Sequence, residues 1–171
     1  MSVKVLPTDI VRRHVATLYD HRSESRRVRL SDVGTQYALP LFIAGLVVWR
    51  DVQIEGAAQI LAGVAILDGF AFGLLVFVFQ LRLSASVDPR EAGRGRLRLL
   101  DELFANVAYT TLVGLATAIL LMIPLALTGE TAGEALPLGW AAVATAFSTH
   151  FILLLMMCVK RTDIAFQRYS R

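Results

Sequence analysis

Cysteine is almost missing from this chain: Cys158 is the only one among 171 residues. That single count excludes an internal disulfide, a CxxC redox pair and a cysteine-based zinc site. Histidine is scarce too, limited to His14, His21 and His150. Only His150 falls in an apolar stretch, so a haem held between helices by paired histidines has no ligand set. No H-E-x-x-H or equivalent spacing occurs, and neither a metal nor a cofactor is expected. Ser148 and His150 stand two apart on one helix and point in different directions, which leaves serine-protease chemistry without its pair. Gly93-Arg94-Gly95 lacks both the preceding strand and the glycines of a phosphate loop. Catalysis is therefore not expected.

Charge is also sparse. Asp, Glu, Lys and Arg make up 18% of the chain and hydrophobic residues 56%, whereas soluble domains average about 25% and about 45–50%. The imbalance is uneven along the chain, with long uncharged stretches between short segments that hold nearly all the Lys and Arg. A soluble globular domain and a disordered tail are both excluded by that distribution. Apolar and polar residues do not alternate within the stretches, so an outer-membrane barrel is excluded as well.

What remains is an all-α integral membrane protein. A span needs about 20 mainly apolar residues, and four segments are read as spans: 33–49, 56–81, 103–128 and 135–159. With no water to satisfy open backbone, each should be a helix. They form an expected four-helix transmembrane domain over 33–159, preceded by a cytoplasmic arm, 1–32, and followed by a basic tail, 160–171. Sixteen of the seventeen Lys and Arg lie in the arm, in the loop from Arg82 to Glu102 and in the tail; the two other connections hold only Arg50. By the positive-inside rule both termini face the cytoplasm. The arm lacks an apolar core beside a small-residue cleavage site, so the first span is expected to act as an uncleaved anchor in a bacterial cytoplasmic membrane.

The arm carries an amphipathic pattern. Thr8 can cap a helix in which Val11, Val15, Leu18 and Tyr19 share a face, with Arg12, Arg13, His14, Asp20 and His21 around the remainder. This reads as an interfacial helix. Arg12, Arg13, Arg26, Arg27, Arg29, Arg94, Arg96 and Arg98 are the candidates for contact with lipid headgroups or with a cytosolic partner. No interleaved aromatics or recognition motif accompany them, so a nucleic-acid partner is not expected. After the turn signal Asp88-Pro89, residues Leu99, Leu100, Leu103, Phe104 and Val107 share a helical face, so the third helix should begin outside the membrane and run into it.

Asp68 is the outstanding position. Twelve residues of its span precede it and thirteen follow, which puts a carboxyl near mid-depth, where a charge costs about 2.5–3.5 kcal/mol on insertion scales. It has to face the interior of the bundle or a wet cavity, take a partner, or stay protonated. His150 is the natural partner by depth, since the two lie within about 6 Å of each other along the membrane normal; a backbone carbonyl or Thr149 could satisfy His150 instead. Asn106, Thr111, Thr117, Thr145 and Ser148 could extend a polar seam, or their hydroxyls could bond only to their own backbone. Small residues recur every four positions at Ala65, Gly69 and Gly73, at Thr110, Gly114 and Ala118, and at Ala142 and Ala146. These are the expected helix–helix contacts. Pro40 and Pro124 are expected to kink the first and third spans.

The general build resembles small four-span membrane effectors of bacterial conflict and antiphage loci, in which a short basic cytoplasmic portion is joined to a bundle that oligomerises. That resemblance implies a homo-oligomer. The expected function is ion or proton passage, or membrane depolarisation, through Asp68 and His150. The alternative is a membrane-anchored sensor or adaptor whose basic face recruits a cytosolic protein.

Overall fold

The computed structural model describes residues 8–17, 34–87, 89–128 and 135–169. Helix α1 covers Thr8–Thr17. A π-helical turn, Gly34–Ala38, runs directly into α2, Leu39–Trp49. Helices α3 (Ala57–Val87), α4 (Pro89–Thr128) and α5 (Leu138–Tyr169) follow, and no strand occurs among the described residues. Three helical stretches, Ala57–Ala85, Leu97–Leu127 and Leu138–Asp163, are long and apolar enough to cross a membrane. Their outward surfaces carry large apolar side chains, among them Phe70, Leu127 and Met156, all well exposed. So much exposed apolar surface is what lipid, and not water, accommodates.

The first apolar stretch is shorter than the others. Gly34–Trp49 is an apolar helix below the length of the three long ones, and at 1.5 Å per residue it reaches about 24 Å against the roughly 30 Å of a hydrocarbon core. Pro40 does not kink it mid-way, as the sequence suggests, but stands at the start of its α-helical part. In an α-helix residue 40 would donate its N–H to the carbonyl of residue 36, and proline has no N–H to give. The turn before it is accordingly wound in the wider π register. Pro124, in contrast, sits inside α4, which continues through it to Thr128.

Closest packing runs in the order α3–α4–α5–α2, and α1 lies against α4. Val47, Val64, Val113, Leu121, Phe151 and Leu154 form one buried cluster drawing on α2 through α5. Val78, Leu103, Val107 and Cys158 form a second from α3, α4 and α5 alone. The second cluster lies toward the end where Arg82 meets Asp101 at 2.6 Å and Arg98 meets Glu102 at 3.1 Å. At the opposite end Leu136 N–H donates to the Ile54 carbonyl at 3.0 Å and ties the two short connections together. There the chain leaves α2 through Asp51 and Gly56, both with positive φ, and Arg50 stacks on the exposed Trp49 ring at 4.9 Å. Gly56 has φ +72°, a backbone conformation that favours glycine, whereas the end of the Gln59 side chain, 2.9 Å from where a Cβ would sit, can swing aside.

Two expected faces are reversed. The inward face of α3 is marked by Ala57, Val64, Ala71 and Val78, all buried at seven-residue spacing. Asp68 lies on that side, and at about 100° per residue Gly69 is turned about 100° and Gly73 about 140° away from it. Ala65, Gly69 and Gly73 are therefore exposed, and a Cβ at either glycine would meet nothing within 4 Å. They are not contacts between helices of one chain. On α1, Val11 and Val15 are exposed while His14, placed by sequence on the polar side, is fully buried.

Candidate functional site

Asp68 projects from α3 onto α4 at Gly114. A Cβ built there would lie 2.6 Å from Asp68 Cγ and 2.7 Å from Phe151 Cε2. Only glycine leaves room for the carboxyl at that crossing. This makes Gly114 the point where three helices converge, with Thr110 and Ala118 one turn to either side on α4. Asp68 is partly buried and its Oδ1 is shut off from solvent with no hydrogen-bond partner. Ser148 Oγ is in the same condition, and it lies three residues before Phe151, on the same face of α5. A carboxyl in such surroundings is tolerated when it is protonated or when a cation or water supplies the missing partner. Chemically, the place can hold a proton or a small cation.

The hydroxyls around it are already spent. Thr111 donates to Val107 O at 3.1 Å, Thr117 to Val113 O at 2.7 Å and Thr145 to Ala141 O at 2.8 Å. Each bond stays within its own helix, so these threonines do not make a continuous seam. Thr110 likewise donates to Asn106 O at 2.8 Å and then touches Cys158 Sγ at 3.5 Å. Ala142 and Ala146 are half-buried on α5, beside the fully buried Ala141.

His150 does not meet Asp68 in a hydrogen bond; its ring is engaged elsewhere. Its Nδ1–H donates to the Gln36 carbonyl at 2.9 Å, the same carbonyl that Pro40 leaves without an α-helical donor. With Nδ1 carrying the proton, Nε2 is the acceptor, and the Tyr109 hydroxyl donates to it at 3.4 Å. The Tyr37 ring lies 5.1 Å away. On α5, Phe151 faces the carboxyl while His150, one residue earlier, is turned toward α2. The sequence places the two groups at compatible depths; the faces separate them.

A second network, invisible from spacing alone, starts from α1. His14 is fully buried, donates from Nδ1 to Asn106 Oδ1 at 2.9 Å and stacks on Tyr109, ring centroids 4.0 Å apart at 13°. Asn106 in turn donates to Glu102 O at 2.8 Å. Tyr109 is therefore shared, its face against His14 and its hydroxyl toward His150. Burial holds the His14 imidazole well below its ordinary range, at about 4 against 6.5. The bond to Asn106 acts upward; the positive charge of Arg161 acts downward, as does His150 once it is protonated. The signal for His14 in the sequence is the i, i+4 spacing of Ile10 and His14, on a face that adjoins the stripe of valines.

Of the basic candidates, Arg12 and Arg13 are exposed on α1 and Arg98 pairs with Glu102. Arg26, Arg27 and Arg29 lie outside the described residues, as do Leu18 and Tyr19 and the side chains of Arg94 and Arg96. Among the described residues no three His, Cys, Asp or Glu side chains gather as a metal site would require. No family model matches the chain, and no curated protein or solved structure does either. Function is accordingly read from the chain's own geometry.

Proposed function

We propose that the chain is a multi-pass protein of a bacterial cytoplasmic membrane that lets protons or small cations pass, with Asp68 as the group that takes them up. In this reading α2 joins α3, α4 and α5 as a four-helix transmembrane unit. Both termini are cytoplasmic, as the concentration of Lys and Arg in the arm, loop and tail supports. Copies self-associate. Depolarisation of the host cell, as by an effector of bacterial defence, is the physiological form such passage would take.

The observation that carries the reading is the setting of Asp68. It stands about 21 Å along α3 from Arg82 and faces Gly114 and Phe151, with Oδ1 unpartnered. A partly buried acid whose Oδ1 is shut off without a protein partner costs stability that a purely structural role would not require. The test is cation and proton flux into liposomes holding the full chain or its Asp68→Asn variant. Flux with the first and none with the second supports the proposal; background leakage with both removes it.

A second reading rests on Arg12 and Arg13, exposed beside Val11 and Val15 on α1. That surface suits anionic headgroups, and it also suits recruitment of an acidic cytosolic protein. Reversing both charges to Glu separates the readings, because an adaptor loses its bound protein while flux through the bundle persists.

A further inference from the structure

We propose that α1 is a pH-released latch: it stays docked on α4 only while His14 is uncharged, and acidification of the compartment it faces frees it from the Tyr109–His150 pair. The docking is independent of the proposed passage, and only its consequence, uncovering that end of the bundle, rests on that reading.

The geometry makes His14 the anchor of the contact. It is the one residue of α1 described as buried, and it is buried completely. Ile10, one turn earlier, is only half-buried, and Val11, Arg12, Arg13 and Val15 are exposed. Among the described side chains of the helix, the fully buried contact is one imidazole pressed flat on Tyr109 and bonded to Asn106. A ten-residue helix has little stability of its own, so losing this anchor releases the whole element.

The groups described around the ring set the direction of the response. From α4 it meets the neutral amide of Asn106 and the phenol of Tyr109, which is already committed to His150. From α5 comes Arg161, whose charge opposes a positive charge on His14, as His150 does once it is protonated. The nearest acids on α4, Asp101 and Glu102, hold Arg82 and Arg98. Asp9, Arg12 and Arg13 on α1 itself are exposed. A released His14 takes up a proton near 6.5, whereas the docked one does so only near 4. Between those values the released state binds more protons, so docking is strongest above pH 6.5 and weakens as pH falls toward 4.

Hydrogen exchange on the full chain in lipid nanodiscs reads that opening directly. From about pH 7.5 to about pH 4.5, protection of the amides of residues 8–17, corrected for intrinsic exchange, should fall on the order of a hundredfold, while α4 stays protected. His14→Phe keeps the stack on Tyr109 and cannot be protonated, so its protection should be the same at both pH values. Should Phe not fit, His14→Gln, which can still donate to Asn106, makes the same comparison. Unchanged protection in the wild type overturns the proposal, and so does an equal fall in the non-titrating variant. Flux is not measured, so this outcome and the fate of the passage reading are separable.

Discussion

The two buried polar places of this bundle are satisfied to very different degrees. Around His150 the accounts are nearly closed: Nδ1 donates to a carbonyl that proline left open, and Nε2 receives a hydroxyl. At Asp68 the carboxyl rests against the backbone of Gly114 with Oδ1 bare. The network around His150 holds elements in place, here α2 against α5 and α1 against α4, although the buried Gln36 Nε2 also has no hydrogen-bond partner. An incomplete one has capacity for something not yet bound. In the proposed reading, the difference separates a structural histidine from an aspartate that takes up a proton or cation, although both stand out equally in the sequence.

Several substitutions can break or sharpen that contrast. The largest effect is expected on the Asp68 side: Asp68→Asn should abolish flux while leaving the helical content of the protein in lipid intact, as circular dichroism would report. Gly114→Leu should do both kinds of damage. It displaces the carboxyl and Phe151 together, an overpacking that costs about 1–3 kcal/mol or more, seen as a lowered unfolding midpoint and lost flux. On the other side, His150→Ala orphans the Gln36 carbonyl and should cost about 1–3 kcal/mol of stability while flux remains. If flux instead vanished with His150→Ala and survived Asp68→Asn, the contrast would be inverted.

Smaller effects test the exposed face of α3. Gly69→Val and Gly73→Val meet open space and should change the stability of the monomer by no more than about 0.5 kcal/mol. Cross-linking in membranes should nonetheless yield fewer oligomers, because a row of small residues is what a second copy would pack against. Thr117→Val should have the least consequence of all. It removes only a hydroxyl that bonds back to its own helix, and flux measured beside the wild type should be unchanged.

Much of the fold was legible because lipid imposes a simple code. Uncharged length marked three long helices, and the turn at Asp88-Pro89 marked the start of α4, with Pro89 as its first residue. The limit came where rotation about a helix axis mattered more than position along it. Ala65, Gly69 and Gly73 looked like a packing face until the inward direction of α3 was fixed by Asp68 and its seven-residue row of small and branched partners. Asp68 and His150 agreed in depth and differed in face. His14 was hidden by the same ambiguity, since a short helix with valines and a histidine on adjoining faces can bury either. Pro40 reads as a kink from sequence, and its actual role depends on the His150 ring, which bonds the Gln36 carbonyl from 114 residues away. Single-chain spacing carries no record of such a contact.

The most direct test is whether position 68 is reached from water through protein. In a Cys158→Ser background, an Asp68→Cys chain in sealed vesicles is treated with a small charged thiol reagent and, separately, with a lipid-soluble maleimide. The account predicts modification by the charged reagent, because the proposed passage would bring ions from water to this group. Reaction with the lipid-soluble reagent alone would mean that the side chain points into acyl chains, and would contradict it.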